Sequence, residues 1–395
     1  MKSRIALFLA ALLFCGCNDV SEENAVPAVA SAETTAFESV SSTVSETTAQ
    51  TTVTEPEPES KTITFTALGD NLIHSSIYKQ AARRAENGGY DFTYAYEGAA
   101  DLFDKADITV LNQETLICND VIEPDTYPSF NSPTALGDHM ASLGVDVFTI
   151  ANNHTLDWGT DGLSACLDYY DERGYMRVGA YRNEEDRADI RVTEVDGVRV
   201  AFLCYTESLN GLSLPQDTEL TIGRFDRDTI IKEIEKADGI SDICVVSLHW
   251  GTENSDTVED YQREAAAEFA EAGADVIIGN HPHVLREIEL IDRTDGGQTL
   301  CAYSLGNLIS AQSRGKNLIG GVLNFSITVE EGRENTVGDM EFIPVITHYD
   351  SNYSNVRLYK LSDYTPELAD SHGVRVNSKF SYEFIYEYLE SKNLI

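Results

Sequence analysis

The stretch Asp275–Val284, DVIIGNHPHV, places two histidines directly after an apolar run. The β-branched pair Ile277 and Ile278 is typical of a buried strand, and the Gly-Asn-His-Pro-His sequence that follows is typical of a turn. The proline fixes its own φ and favours an extended conformation at His281, so both imidazoles are expected to reach a shared ligand. The sequence therefore predicts a strand that delivers His281 and His283 to one site.

Five other apolar runs also end in short polar motifs, and helices are predicted between most of them. Ligands bind beyond the carboxyl ends of the strands in open α/β sheets, so these polar groups are expected to converge. The remaining histidines have no such placement and are expected on the surface or on helices; they are His74, His139, His348 and His372. The predicted site residues are Asp70, Asn112, Glu114, Asn153, His154, His249, His281, His283 and Asn307.

Length and charge restrict the class of protein. The chain has 395 residues, 42% of them hydrophobic, which is enough for one large α/β domain or for two to three average domains. It carries 28 basic and 66 acidic residues, a formal net charge of −38. This charge argues against nucleic acid or an anionic membrane surface as the partner. An anionic substrate would need local positive charge, such as a bound metal ion.

The N-terminus has the pattern of a secretory signal. Lys2 and Arg4 precede an apolar run, Ile5–Phe14, that is too short to span a bilayer. Residues 1–16 are therefore predicted to be a signal peptide. The sequence Phe-Cys-Gly-Cys that ends at Cys17 resembles a bacterial lipobox, which implies lipidation of Cys17 and anchoring to the outer face of the cell membrane. Ordinary cleavage and release is the alternative.

Residues 17–60 are predicted to be a disordered stalk. Positions 18 to 60 hold nine acidic and fifteen Ser or Thr residues and no Lys or Arg. Such a segment buries too little apolar surface to offset its ordering entropy. The globular domain is expected over 61–328, and 329–395 is expected to add strands and a helix packed on the same domain.

The predicted site residues have the chemistry of a metal centre. Carboxylate, amide and imidazole groups without thiolate suit Mn²⁺, Fe²⁺, Zn²⁺ or Mg²⁺. Two such ions about 3.5 to 4 Å apart lower the pKa of a bridging water and hold both oxygens of an in-line displacement at phosphorus. Glu114 is a candidate to bridge the ions, and His154 is a candidate general acid for the leaving group.

Six motifs also carry a resemblance to a known family. They are GDNLIH, NQETLI, ANNHTLDWGTDGL, SLHWGTE, GNHPHV and YSLGN, in that order. In order and approximate spacing they resemble the CapA-like, poly-gamma-glutamate capsule synthesis family, a branch of the calcineurin-like metallophosphoesterases. The resemblance covers about Ile63 to Leu308. It implies a four-layered α/β/β/α sandwich of metallophosphoesterase type.

The resemblance also implies individual roles. Asp70 matches the first metal-binding aspartate and Glu114 matches the bridging acid. The other implied roles are an Asn-His pair at Asn153 and His154, a ligand at His249, and a final His-x-His at His281 and His283.

The sequence departs from the superfamily pattern at Leu72, where a histidine is usual. Asn112 or a water as substitute ligand, and a single tightly bound ion, are the alternatives that follow. Glu114 stands where an aspartate is usual, and Asn280 stands where many relatives carry a histidine.

Two functions of different classes are compatible with these residues. The first is a surface-anchored, metal-dependent hydrolase of phosphate esters that serves the synthesis of a capsule or similar envelope polymer, together with membrane proteins of that system. The second is a noncatalytic, membrane-tethered component that binds or exports an anionic polymer. His154 favours catalysis because a binding site needs no general acid, whereas Leu72 favours binding or a weakened enzyme.

The lipobox resemblance generates a prediction for Cys17. In the Cys17→Ser variant the thiol that would accept the lipid is missing, so we expect the protein to move from the membrane fraction to the soluble fraction. Cell fractionation with immunoblotting measures this distribution. If the variant remains with the membrane, the lipid anchor at Cys17 is wrong.

Overall fold

The computed structural model describes residues 60–86, 88–376 and 378–395. The predicted signal peptide, 1–16, and the predicted stalk, 17–60, lie outside the described residues apart from position 60. Within the described part of the chain, no helix has the length and apolar character needed to cross a membrane.

Strands and helices alternate through much of the chain. The strands are β1 Ser60–Asn71, β2 Ile108–Asn112, β3 Val147–Thr149, β4 Met176–Val178, β5 Ala180–Tyr181, β6 Arg191–Val195, β7 Val198–Thr206, β8 Thr221–Ile222, β9 Ile243–His249, β10 Val276–Asn280, β11 Ile288–Asp292, β12 Gln298–Ala302, β13 Asn307–Ile309, β14 Ile319–Glu330, β15 Thr336–Asp350 and β16 Ser354–Lys360. The α-helices are α1 Ser75–Arg84, α2 Thr93–Tyr96, α3 Thr134–Leu143, α4 Gly159–Arg173, α5 Glu184–Ala188, α6 Arg227–Asp238, α7 Asp260–Glu271, α8 Pro366–Ser371 and α9 Tyr382–Glu390.

The first sheet has the strand order β16-β15-β14-β1-β2-β3-β4, and β13 pairs with the end of β1. Strands β1 to β4 are parallel, whereas β14, β15 and β16 are antiparallel. The C-terminal stretch 329–395 therefore extends this sheet through β15 and β16. Its helix α9 buries Ile385 and Leu389 in the same core.

The second sheet has the order β11-β12-β10-β9-β7-β6. Its four central strands are parallel, and the two edge strands β6 and β11 are antiparallel to their neighbours. Parallel central strands require both faces of a sheet to be covered. The strand sequences meet this requirement because they are apolar on both faces, as in ICVVSLH of β9.

The alternation along β7 shows which layer covers each face. Val200 and Phe202 belong to the large core shared with the first sheet, whereas Ala201 and Leu203 belong to a second core with helices α6 and α7. Helices α1 to α4 connect the parallel strands of the first sheet and bury apolar residues in the large core. The predicted α/β/β/α sandwich is therefore confirmed.

Residues at the two ends of helix α7 determine where the helix begins and ends. Glu259 and Gln262 form a reciprocal capping box at its N-terminus. Beyond its C-terminus, Gly273 has a φ of 107°, which a residue with a side chain rarely adopts. The chain then enters β10, so this helix fixes the start of the strand that leads to the two histidines.

The carboxyl ends of the parallel strands in both sheets carry the predicted site residues. In the first sheet Asp70 pairs in register with Asn112. In the second sheet His249 pairs in register with Asn280. The sandwich therefore brings together polar groups that are distant in sequence, as in the contact between Asp70 and His283, which lie 213 residues apart.

Two of the four remaining histidines do not follow the surface expectation. His348 and His372 are buried, with 5% and 2% of their surface exposed. Their rings lie 4.8 Å apart in an aromatic cluster, and the His372 ring contacts the backbone oxygen of Thr347. They lie on β15 and after α8, so long-range packing of the C-terminal stretch buries them.

Gly279 generates a prediction for the stability of the fold. A Cβ at Gly279 would lie 2.1 Å from the carbonyl oxygen of Tyr303, so Gly279→Ala should destabilise the protein by about 1–3 kcal/mol. Urea unfolding followed by circular dichroism measures the change. In the control Gly239→Ala, the new Cβ meets nothing closer than 3.4 Å, and stability should be unchanged or slightly higher. Equal losses in both variants would contradict the close approach.

Candidate metal centre

Asp70 is the carboxylate at the end of the central strand β1, and it is fully buried. Its Oδ1 accepts a hydrogen bond of 2.7 Å from the amide nitrogen of Asn112. Its Oδ2 lies 3.0 Å from Nδ1 of His283. Asn112 therefore presents its nitrogen to Asp70 and supports that carboxylate, rather than supplying a substitute ligand oxygen at this point.

His249 ends β9 and faces the first sheet. Its Nε2 lies 3.0 Å from Oδ1 of Asn153 and 3.0 Å from Nδ1 of His281. Its other ring nitrogen, Nδ1, is 3.5 Å from the amide nitrogen of Asn112. The two imidazoles and the amide oxygen thus surround one point between the sheets.

Glu114 lies between these two sets of residues. It is fully buried, and neither carboxylate oxygen has a hydrogen-bond partner among the described residues. Its Oε1 is 3.7 Å from Nε2 of His249, and its Oε2 is 3.6 Å from Nδ1 of His283. A buried carboxylate without a partner is costly, so this position calls for a cation.

The ligand atoms form two overlapping groups. Glu114, His249 and His281 make the first group, whose ligand atoms all lie within 4.8 Å of one another. Asp70, Glu114 and His283 make the second group under the same limit. Glu114 is common to both groups, which is the position that a residue bridging two ions must occupy. The donor set of carboxylates and imidazoles fits divalent cations.

The turn that carries the two histidines has an unusual backbone. His281 has a φ of 97° and His283 has a φ of 58°, both in the left-handed region that favours glycine. The prediction of an extended His281 is therefore wrong. Holding non-glycine residues in this region costs of order 1–3 kcal/mol each, and such strain is concentrated at functional sites. The turn directs both rings toward Glu114.

Burial and neighbouring charge control the protonation of these groups. Burial lowers the pKa of His281 to about 4 and lowers the pKa of His249 well below its ordinary value. Both rings are therefore neutral and able to donate a lone pair at neutral pH. Burial raises the pKa of Glu114 well above its ordinary value. Burial alone would lower the pKa of His283, but the carboxylates of Glu114 and Asp70 raise it well above its ordinary value.

His154 lies beside the metal-ligand groups and is paired with a carboxylate. Its Nδ1 is 2.8 Å from Oδ2 of Asp157, which also accepts a 2.7 Å hydrogen bond from the backbone N–H of Phe130. Because Asp157 occupies Nδ1, the ring has Nε2 left for a substrate. His154 lines the cavity in front of the centre, which is the place that a general acid requires.

Asn307 lies near the centre, and its buried side-chain oxygen has no hydrogen-bond partner among the described residues. It begins β13 rather than following β12, and it pairs in register with Asp70. Its amide nitrogen donates to Ser310, Gln312 and Asn317. The amide nitrogen of Asn307 therefore organises the segment 310–317, which includes the cavity-lining residue Gln312.

A cavity of about 470 Å³ opens in front of the centre. Its wall includes residues that the sequence analysis did not single out, and none of the lining residues in the described part of the chain is Lys or Arg. Tyr127 stands at the wall with 76% of its surface exposed. His74, which was expected on the surface or on a helix, also lines it; burial lowers its pKa to about 4. The residues that sequence reasoning missed are His74, Tyr127, Pro128, Phe130, Asp157, Ser208, Asn210, Glu253 and Gln312.

Comparison with known proteins identifies the family. The model of the family described as bacterial capsule synthesis protein PGA_cap matches residues 64–312, which include all the ligand groups described above. The chain belongs to the PGA_cap family. The CapA resemblance found in the sequence is thereby confirmed.

Two curated relatives support membership of the PGA_cap family. The PGA biosynthesis protein CapA of Bacillus subtilis is 30% identical over 211 residues, which are 53% of this chain and 53% of the relative. The capsule biosynthesis protein CapA of Bacillus anthracis is 29% identical over 206 residues, which are 51% of this chain and 48% of the relative. The chain thus spans about half the length of these relatives.

Solved structures with a similar arrangement are more distant from this PGA_cap member. The NAD nucleotidase NadN of Haemophilus influenzae is 13% identical, with a TM-score of 0.45 over 85% of this chain and 68% of that chain. The calcineurin-like phosphoesterase YfkN of Bacillus subtilis is 12% identical, with a TM-score of 0.40 over 85% of this chain and 97% of that chain.

The raised pKa of His283 generates a prediction for metal binding. The carboxylates of Glu114 and Asp70 raise the pKa of His283 well above its ordinary value, so this ring holds a proton at neutral pH, and a divalent ion needs the ring deprotonated. Binding of Mn²⁺ should therefore release protons, and the affinity should rise with pH. Calorimetric titration at pH 7 in two buffers of different ionisation enthalpy counts the protons. His281→Ala is the control because its ring is already neutral, so the variant should lose affinity while the protons released per ion stay the same. Identical heats in both buffers would contradict this prediction.

Proposed function

We propose that this PGA_cap protein is a divalent-metal-dependent hydrolase of phosphate esters that serves the synthesis of a capsule or similar envelope polymer. One observation carries the proposal. Glu114 joins two groups of metal-ligand atoms, and the cavity in front of those groups is lined by His154, which is paired with Asp157. A centre for two ions beside a candidate proton donor is the arrangement that in-line displacement at phosphorus uses.

The residues that would hold the ions divide between the two groups. His249 and His281, with the amide oxygen of Asn153 nearby, would hold one ion, and Asp70 and His283 would hold the other. Glu114 would contact both. Bound divalent ions would supply Lewis acidity toward the phosphate oxygens and would lower the pKa of a water.

The chain itself supplies the proton for the leaving group. His154 in its protonated form would donate from Nε2 to the ester oxygen as the bond to phosphorus breaks. Asp157 would hold the ring through Nδ1 and stabilise its positive charge. The N–H of Phe130 fixes Asp157 in turn, so the proton donor is positioned before the substrate arrives.

The proposal includes a location and partners. The predicted signal peptide at 1–16 and the lipobox resemblance at Cys17 support a lipoprotein on the outer face of the bacterial cell membrane. The stalk would hold the catalytic domain away from that membrane. Membrane proteins of the capsule system are the proposed partners, and a phosphate ester or an anionic polymer is the proposed substrate. Mn²⁺, Fe²⁺, Zn²⁺ and Mg²⁺ all fit the ligand set.

Noncatalytic binding of an anionic polymer is the second candidate. It is favoured by Leu72, a buried apolar side chain at the position where the superfamily has a histidine. Two observations support the hydrolase instead. None of the described residues that line the cavity is a Lys or Arg that could hold an extended anionic chain, and the pair His154–Asp157 has no evident use in binding alone.

Purified protein tested with added Mn²⁺ on phosphomonoesters and phosphodiesters decides between these candidates. His154→Asn should lower kcat by about 10²–10⁴-fold, because general acid catalysis contributes that much, and should leave bound metal unchanged. His281→Ala should lower both bound metal and activity. Elemental analysis measures the metal content.

His139→Gln is the control for these variants, since His139 is half-buried on α3 and outside the cavity. It should retain metal and activity. The hydrolase proposal is wrong if no metal copurifies and His281→Ala leaves every activity unchanged.

A further inference from the structure

Glu253 is a half-exposed carboxylate that contacts a candidate metal ligand. It follows β9 by four residues, and 53% of its side chain is exposed toward the cavity that it lines. Its Oε1 lies 3.5 Å from Nε2 of His283. Neither candidate group of metal ligands includes Glu253, so the contact lies outside the ligand set described above.

The two nitrogens of the His283 ring face different partners. Nδ1 is 3.0 Å from Asp70 and 3.6 Å from Glu114, inside the second ligand group. Nε2 faces Glu253 on the opposite side of the ring. A neutral imidazole carries one N–H, and a carboxylate beside Nε2 favours that proton on Nε2. The lone pair of Nδ1 is then directed at the space between Asp70 and Glu114.

The loop that carries Glu253 is fixed by a buried cation. Arg286 is fully buried and contacts Glu259 at 3.0 Å. It also donates to the backbone oxygens of Ser255 at 3.0 Å and Thr252 at 3.2 Å. A buried guanidinium with these partners holds the loop on both sides of Glu253.

The same loop is tied directly to the turn that holds the histidines. The backbone N–H of Asn254 donates to the carbonyl oxygen of Pro282 at 2.8 Å. The amide nitrogen of Asn317 donates to the side-chain oxygen of Asn254 at 2.7 Å. Asn254, which follows Glu253, is therefore hydrogen-bonded to Pro282, which precedes His283. This hydrogen bond holds the Glu253 carboxylate and the His283 ring in a fixed relative position.

We propose that Glu253 is a positioning residue that accepts the Nε2–H of His283 and thereby fixes the ring with Nδ1 toward Asp70 and Glu114. The inference rests on the metal centre of the proposed function and deepens it. Carboxylates in this second layer orient a histidine ligand and raise its basicity, and their loss typically costs 10–100-fold in metal affinity. The effect should be confined to the ion held by Asp70, Glu114 and His283.

Calorimetric titration of the metal-free full-length protein with Mn²⁺ tests the proposal. Glu253→Ala removes the acceptor and should weaken one of two binding steps by about 10–100-fold. Glu253→Gln keeps an oxygen acceptor without the charge and should give a smaller loss. Glu219→Gln, at an exposed position, is the control for a changed net charge and should bind as the native protein does.

A double-mutant cycle separates positioning from other roles of Glu253. If Glu253 acts through His283, then Glu253→Ala should have no further effect on affinity in the His283→Ala background. An undiminished loss in that background would show that Glu253 binds the ion itself or acts by charge alone, and the inference would be overturned. Thermal unfolding of each variant without metal confirms that the fold is retained, which is expected because Glu253 is half-exposed.

The outcomes also separate this inference from the proposed hydrolase. If the native protein binds Mn²⁺ and hydrolyses phosphate esters while Glu253→Ala binds Mn²⁺ equally well, only the positioning role is wrong. If Glu253→Ala weakens binding as expected but no phosphate ester is hydrolysed, the positioning role stands and the hydrolase is wrong. A native protein that binds no Mn²⁺ overturns both.

Discussion

The buried carboxylate of Glu114 needs positive charge nearby, and the surrounding residues are arranged to meet that need. Glu114 is removed from water, and its two oxygens have no hydrogen-bond donor among the described residues. Moving such a group out of water costs several kcal/mol unless a compensating positive charge is present. A protonated His283 beside Glu114 supplies part of that charge. A bound divalent cation would supply more charge and would displace that proton.

The sandwich architecture explains how so many polar groups reach that carboxylate. Asp70, Asn112 and Glu114 belong to the first sheet or to the turns beyond its strands, whereas His249 and His281 belong to the second. Parallel strands in each sheet end at the same edge, and the shared core holds the two edges together. Each sheet alone supplies only some of the residues in each candidate ligand group.

The sequence predicted those elements whose formation is determined by neighbouring residues in the chain. The apolar runs before Asp70, His249 and His281 are strands in the structure, because β-branched segments bounded by turn residues need no distant contact to be recognised. Loop residues such as Glu253 and Tyr127 lack any periodicity, and their roles depend on where the chain folds back. The left-handed turn at His281 and the burial of His348 and His372 likewise depend on tertiary packing, which local propensity does not encode. The motif resemblance predicted a ligand set, but it could not show which nitrogen of each ring faces the centre.

The division of the ligands between two sheets has a thermodynamic consequence. Both ligand groups contain atoms from each sheet, so an ion that engages either group binds fully only when the sheets are docked. Metal binding and sheet docking are then linked equilibria. An ion at a free concentration 100 times its Kd stabilises the docked state by about 2.7 kcal/mol, which is a large fraction of the stability of an ordinary domain. The supply of divalent ions would thus influence how much of the folded protein survives proteolysis.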